Sequence, residues 1–303
     1  MNPSPTVRFA YYCRNSRYPA WAWKGLEYRS GGLSHHSALL NRRGNRPGTM
    51  EHTTNRDNLH KIVILNPKGG SGKTTLATNL ASYFARRGPP PTLVDCDPLG
   101  YSMRWLDNRS MQRPKIYGVA AHEHCTESGK GTELHAWPGS RQMIVDLPAA
   151  IPDNQLYYQT YDANSILIPI TPSEIDIYSA ARFIANLLLV AQFDRRNRNL
   201  AIVANRTRKN TISFRMLMRF LTSLEIPIIA QLRDSQIFVH AAAHGIGICE
   251  MPEYLVRNDV EQLESVVTWL DNWRMRKFDA VASESLQRTP ENEVLTPAYV
   301  RHD

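Results

Sequence analysis

The sequence predicts a doubly wound α/β fold, a mostly parallel sheet flanked by helices. Three features carry that prediction. From Leu59 onward, short apolar runs alternate with segments of helical period. Several runs are apolar at nearly every position instead of every second one, as strands covered by helices on both faces must be. A glycine-rich loop joins the first run to the first helical segment, the arrangement that turns a helix N-terminus into an anion site.

The elements follow in order. Strands are predicted at Lys61–Asn66, Thr92–Asp95, Gln142–Asp146, Ser165–Ile170, Leu200–Ala204 and Ile228–Leu232, with helices over 73–87, 153–161, 174–192, 211–224 and 235–244. Helix 174–192 opens with Ser173 and Asp176 at capping-box spacing, after Thr171-Pro172. Its Ile175, Tyr178, Ala181, Ile184, Leu188 and Ala191 then recur at helical period.

The chain has 303 residues, 42% hydrophobic and 21% charged, which suits one domain with appendages. Formal net charge is +8, but residues 1–50 carry eight Lys/Arg against Glu27 alone, leaving the remainder near neutral. The basic balance is therefore no argument for nucleic-acid binding by the folded body. Residues 1–58 lack periodicity and are rich in Arg, Ser, Gly, Pro and His, so a disordered basic extension is expected there. Its composition resembles a transit peptide, while Met50 offers an alternative start of translation. The folded domain is expected over 59–277, followed by a disordered polar tail over 278–303.

Four cysteines (Cys13, Cys96, Cys125, Cys249) lie far apart without a Cys-x-x-Cys pair, against a disulfide scaffold and in keeping with a reducing cytosol. The longest apolar stretch, Phe183 to Val190, contains Asn186 and falls far short of the roughly 20 residues a bilayer needs. The N-terminus has no apolar region long enough for a secretory signal. A cytoplasmic protein is the expectation.

The loop reads Pro67-Lys68-Gly69-Gly70-Ser71-Gly72-Lys73-Thr74-Thr75. Glycines let the backbone turn tightly and aim successive N–H groups at phosphate oxygens, and the next helix adds its partial positive charge. Gly69, Gly70, Ser71, Gly72, Lys73, Thr74 and Thr75 are thus expected to bind nucleotide, as in a P-loop NTPase. Lys73 would reach the β- and γ-phosphates, and the Thr74 hydroxyl would ligate Mg²⁺. Acids stand at strand ends beside it: Asp95 and Asp97 in Thr92-Leu93-Val94-Asp95-Cys96-Asp97-Pro98, and Asp146 in Met143-Ile144-Val145-Asp146-Leu147-Pro148. An Asp at a strand end also caps turns, so each alone is ambiguous.

Pro67 replaces the first glycine of the usual pattern, and Lys68 adds a second lysine. With this deviant Walker A box the sequence resembles the ParA/MinD family of ATPases over about residues 60–275. The resemblance implies ATP and Mg²⁺ as ligands and a homodimer in the ATP state, with Lys68 crossing the interface to the partner's ATP; a solvated loop lysine is the plainer reading. It also implies that Asp97 helps place the attacking water and that Asp146 holds Mg²⁺ through its water shell. Lys68, Lys73 and Asp97 are then the catalytic set, and Thr74 and Asp146 the metal set. Asn205, in Ala204-Asn205-Arg206, would hydrogen-bond the adenine. Leu99 departs from the polar residue often found after the Asp-Pro pair, which leaves the contacts of that segment open.

Family members couple ATP-dependent dimerisation to different surfaces. For DNA, residues 194–219 hold Arg195, Arg196, Arg198, Arg206, Arg208, Lys209, Arg215 and Arg219 against Asp194 alone. Arg215 and Arg219 share a helix face, with Phe214, Leu217, Leu221 and Leu224 on the apolar side. Arg206, Arg208, Lys209, Arg215 and Arg219 are the candidate contacts to DNA without sequence preference, a solvated basic face being the alternative. A membrane reading rests on Val260, Leu263, Val267 and Leu270, followed by Trp269, Trp273, Arg274, Arg276, Lys277 and Phe278. Glu261, Glu264 and Asp271 oppose it, and a helix docked on the domain is favoured. Single Cys125 and Cys249 do not suggest a shared iron–sulfur cluster. His122-Glu123-His124-Cys125, with His135, lacks zinc spacing and reads as solvated. Asp234 or Ser235 is expected to cap a helix. The function implied is a cytoplasmic, nucleoid-associated ATPase that partitions or positions a cargo and whose turnover an adaptor protein stimulates. A MinD-like membrane-associated ATPase, or an ATP-gated scaffold with incidental turnover, is the alternative.

Overall fold

Apolar residues crowd every predicted strand, and the strands assemble into one seven-stranded sheet. It is seen in a computed structural model that describes residues 58–122, 134–149, 151–190, 199–224 and 226–275. The expected extension before residue 58 and the tail after 277 lie outside the described residues. The strands are β1 (His60–Ile64), β2 (Thr92–Asp95), β3 (Tyr117–Ala120), β4 (Gln142–Asp146), β5 (Ser165–Ile170), β6 (Leu200–Thr207) and β7 (Ile228–Arg233). They lie in the order β3-β2-β4-β1-β5-β6-β7, and every pairing is parallel.

Helices α1 (Lys73–Ala85), α2 (Tyr101–Asp107), α3 (Asp153–Thr160), α4 (Glu174–Val190), α5 (Ile212–Thr222), α6 (Gln236–Ala243) and α7 (Glu253–Asp271) connect the strands and close the domain. Alternation within β1 divides the core in two. Ile62 and Ile64 face one cluster with Leu80 and Phe84 of α1 and Leu263, Val267 and Leu270 of α7. Val63 and Leu65 face the other, with Leu156 of α3, Ile184 of α4 and Leu217 and Leu221 of α5. Each face of the sheet thus buries its own apolar layer, which is what doubly wound means physically.

Two elements go beyond the predicted set, α2 and β3. β3 is an edge strand whose Tyr117, Gly118 and Val119 are half-buried and whose Ala120 is exposed, and its apolar run from Ile116 to Ala121 is interrupted by Gly118, which weakens the strand signal. A side chain at Gly118 would meet Leu106 of α2 at 2.5 Å, so the glycine is what lets α2 lie against β3. α4 begins as predicted, with the Asp176 N–H donating to Ser173 Oγ at 3.2 Å. α7 takes up Leu263, Val267 and Leu270 as core, the docked-helix alternative. Among the described residues, no helix is long and apolar enough to cross a membrane.

One expectation is corrected. Cys96 is engaged in a disulfide, which the wide spacing of the cysteines along the chain did not suggest. Cys249 is free and buried.

Candidate nucleotide site

β1 ends at the centre of the sheet, and the register sets Ile64 beside Asp146, and Asp146 beside Asp95. The loop therefore leaves the sheet with two carboxylates at its flank, in the crevice outside the carboxyl ends of the strands. Asn66 ties the loop's base: its Nδ2 donates to Pro169 O at 2.6 Å, and its Oδ1 accepts from the Lys68 N–H at 2.8 Å. Gly70 and Gly72 take φ of 81° and 95°, where a side chain is strained.

Lys73 is buried and folds back over the loop, donating to the carbonyls of Asn66 (3.1 Å) and Lys68 (3.3 Å). Burial pulls its pKa below the ordinary lysine value, against the charges of Asp146 and Asp97. The ammonium is thus held over the place its phosphate partner would take, in a setting where charge is poorly solvated.

Asp146 is almost wholly buried. Its Oδ2 accepts from Thr74 Oγ1 at 2.8 Å and from Ser102 Oγ at 2.7 Å. Its Oδ1 has no hydrogen-bond partner among the described residues, and neither has the buried hydroxyl of Ser71 in the loop. Burial pushes the Asp146 carboxyl up to about 6, with the Asp95 carboxylate adding to the rise. A buried carboxylate oxygen left bare beside a threonine hydroxyl is a hard-oxygen donor set, which fits Mg²⁺. Thr74 and Asp146 are the residues that would hold it.

Asp97 is half-buried, and its Oδ1 accepts from the Leu99 N–H at 2.9 Å, the turn-capping contact open to any Asp at a strand end. Its own N–H donates to Asp95 Oδ1 at 3.0 Å, and Asp95 Oδ2 accepts from the Met103 N–H at 3.0 Å. Asp95 therefore sets the path from β2 into α2. Lys68 forms an ion pair with Asp176, a buried acid in the first turn of α4.

Beside the loop a cavity of about 280 Å³ is lined by Gly72, Thr75, Asn79, Arg206, Asp234 and Gln236. Its size and the apolar Leu76, Leu232 and Phe238 in its lining suit a nucleoside. Arg206 stands in an irregular stretch of β6 with φ of 50°, a strained position for a side chain. Asn205 lines the cavity, but its amide donates to Ser71 O at 2.8 Å.

Of the candidate DNA contacts, Arg206, Arg208, Lys209, Arg215 and Arg219 are all exposed. Arg208 holds Asp234 through two contacts of 3.0 and 2.6 Å. Thr211 caps α5 by accepting from the Phe214 N–H at 3.2 Å, and the buried Leu217 and Leu221 leave Arg215 and Arg219 on the open side. Arg195, Arg196 and Arg198 lie outside the described residues, as do Glu123, His124 and Cys125. Ser235 caps α6, accepting from the Ile237 N–H at 3.3 Å.

Ser102, Asn66 and Asp95 are polar residues of the site to which the sequence reading gives no role, and Asp176 is read there only as opening its helix. Asp95 carries a signal, two residues before Asp97, and Asp176 carries its capping-box spacing; Ser102 and Asn66 are brought in by the fold.

A glycine-rich loop at the centre of a parallel sheet, a lysine folded into it and a buried Asp–Thr pair define a P-loop nucleotide-binding protein. The chain belongs to the CobQ/CobB/MinD/ParA nucleotide binding domain family, whose model matches residues 62–248, and it is a P-loop ATPase of that family. It is 26% identical over 191 residues to maintenance of carboxysome distribution protein A of Halothiobacillus neapolitanus, a match covering 63% of this chain and 87% of that protein. It is 29% identical over 133 residues to protein ParA of Rhizobium radiobacter, covering 43% of this chain and 56% of the relative. With several such relatives the match thus spans only about half their length. In fold it resembles a plasmid partition protein from Borrelia burgdorferi bound to AMPPNP (TM-score 0.54, 13% identity, 70% of this chain and 98% of the other). It likewise resembles an ATP complex of a McdA variant from Cyanothece (TM-score 0.50, 15% identity, 74% and 97%).

Proposed function

We propose that this protein is a ParA-like ATPase that dimerises with ATP, binds DNA without sequence preference and partitions or positions a cargo, hydrolysing ATP to ADP and phosphate. One observation carries the reading: the loop holds two lysines in different settings, Lys73 folded inward over it and Lys68 half-exposed at its rim against Asp176. Lys73 neutralises charge building on the γ-phosphate. Lys68, freed from Asp176, serves the nucleotide of a second copy, so each site is complete only in the dimer. Asp97 gives up the Leu99 N–H and orients the attacking water in line with the γ-phosphate. Thr74 and Asp146 hold Mg²⁺, which supplies charge neutralisation at the phosphate oxygens when bound.

The exposed Arg215 and Arg219, with Arg206, Arg208 and Lys209 nearby in sequence, form the DNA surface. Pairing two copies doubles the surface, so binding steepens with dimerisation and weakens with salt. An adaptor protein stimulates turnover and releases the DNA, and the protein is cytoplasmic and nucleoid-associated. Of the membrane alternative's stripe, Leu263, Val267 and Leu270 are buried in the core and Val260 is half-buried against it, which supports the DNA reading over the membrane one.

Light scattering tests dimerisation: mass should double with a non-hydrolysable triphosphate relative to ADP or no nucleotide. Equal mass in all three conditions refutes the reading. Gel-shift assays with ATP test the surface: Arg215→Glu with Arg219→Glu should abolish DNA retention and leave ATP binding intact. Unchanged retention removes these two residues from the account.

A further inference from the structure

Cys96 stands between the two acids that follow one another at the end of β2, and its sulfur is engaged in a disulfide. Cys249, the other cysteine among the described residues, is free, so the bond runs to a cysteine outside them.

Alternation along the extended chain decides what that bond can hold. Val94 and Cys96 join the apolar layer of Leu65, Val145 and Leu147, where Cys96 is fully buried. Asp95 points away from that layer, toward α2, and accepts there from the Met103 N–H at 3.0 Å. The backbone on either side of the cysteine is held by three hydrogen bonds. The Cys96 N–H donates to Asp146 O at 3.0 Å, the Asp97 N–H to Asp95 Oδ1 at 3.0 Å, and the Gly100 N–H to Asp97 O at 2.9 Å. A disulfide at Cys96 adds a covalent anchor from the apolar side, one residue before Asp97. In the cytoplasmic setting proposed above, a disulfide is as a rule transient, catalytic or redox-sensing.

We propose that the Cys96 disulfide is a redox switch on the hydrolytic step. Oxidised, it pins Asp97 in its contact with the Leu99 N–H; reduced, it lets Asp97 reach the attacking water. The inference rests on the role proposed for Asp97. Oxidised protein then behaves as Asp97→Ala should, binding ATP and dimerising but turning over slowly.

The switch is thrown by exchange with a dithiol. One thiolate of the reductant attacks the disulfide, the S–S bond breaks and a mixed disulfide forms. The second thiolate of the reductant then displaces the remaining protein sulfur. The protein gains two electrons and two protons as two thiols, and the reductant leaves as its own disulfide. Because Cys96 is buried, its sulfur is the leaving group and not the one attacked.

The test equilibrates the full-length parent with oxidised or reduced dithiothreitol. Alkylation of the unfolded chain, read by intact mass, should add two more labels after reduction than after oxidation, a difference that Cys96→Ser abolishes. ATP turnover should rise about tenfold or more on reduction, with affinity for a non-hydrolysable triphosphate within about twofold and dimer mass unchanged. Cys96→Ser should turn over at one rate in both conditions, and Cys96→Ala takes its place if the serine variant does not fold. Asp97→Ala should also lose the redox response, since nothing is left to pin.

Equal labelling in both conditions overturns the proposal, and so does equal turnover despite the difference of two labels. Reduction that changes ATP affinity and turnover together overturns it too, because the bond would then act on the phosphate loop. A redox response that persists in Asp97→Ala has the same force. A reduced parent that hydrolyses no ATP fails the ATPase reading itself, whereas one that hydrolyses ATP at the oxidised rate fails the switch alone.

Discussion

Two carboxylates with buried side chains in this domain, Glu250 and Asp146, are treated in contrasting ways. Glu250, in the short turn before α7, receives Arg109 through both oxygens, at 2.5 and 2.7 Å, and the Gly247 N–H at 2.9 Å. Burial alone would raise its pKa, but these partners outweigh it and hold the carboxyl below the ordinary value. Asp146 is buried more deeply, has one oxygen without a hydrogen-bond partner, and is pushed up to about 6. The first carboxylate is satisfied by the chain itself and joins α2 to the turn before α7. The second fits an arrangement completed only from outside. Unsatisfied charge marks the part of the molecule that awaits a ligand; satisfied charge marks the frame that holds it.

The comparison can be broken at several points, the largest effect first. At the ligand-facing side, Lys73→Ala should cut ATP turnover roughly 10²- to 10³-fold and erase nucleotide-dependent changes in mass. Asp97→Ala should lower turnover by roughly 10²-fold yet accumulate the ATP dimer. Single-turnover kinetics with light scattering separates the two. Parent-rate hydrolysis by the Asp97 variant withdraws its assigned role.

At the frame, Arg109→Met leaves Glu250 buried without its counter-charge and should cost about 3–5 kcal/mol of stability by chemical denaturation. The sign of the pH effect is fixed by the lowered value. A carboxyl held below its unfolded pKa of 4.5 contributes stability that is present above that pH and lost as pH falls through the folded value. Thermal melts from pH 7 to 3 should therefore show the gap between parent and variant narrowing as the pH falls below 4.5 and the parent loses this contribution.

The smallest effect has the opposite sign. Asp146 carries a raised pKa, so above about pH 6 the fold bears the cost of ionising it. Asp146→Asn should stabilise the magnesium-free, nucleotide-free protein by about 1–2 kcal/mol at pH 7.5, while abolishing magnesium-dependent turnover. A destabilised variant would mean that Asp146 belongs with Glu250, to the frame.

How much of this was legible beforehand depends on the range of the interaction involved. The phosphate loop was readable because its requirements are local: glycines at positions of positive φ, a lysine, a hydroxyl and a helix start, all within nine residues. The central strands were readable because burial on both faces imposes an unbroken apolar run. β3 and α2 escaped because Gly118 interrupts the apolar run of β3, and that glycine is explained only by Leu106 of α2 packing over it.

By itself the sequence determined the fold class, the loop and the acids that stand beside it, since each follows from neighbours in the chain. Only the tertiary structure decided which partner each polar group finds. It paired Lys68 with Asp176, gave Ser102 and Thr74 to Asp146, and set the amide of Asn205 against Ser71. The last contact joins residues 134 positions apart. Hydrogen bonds and ion pairs depend on ångström-scale geometry across the fold, and no spacing along a chain encodes that.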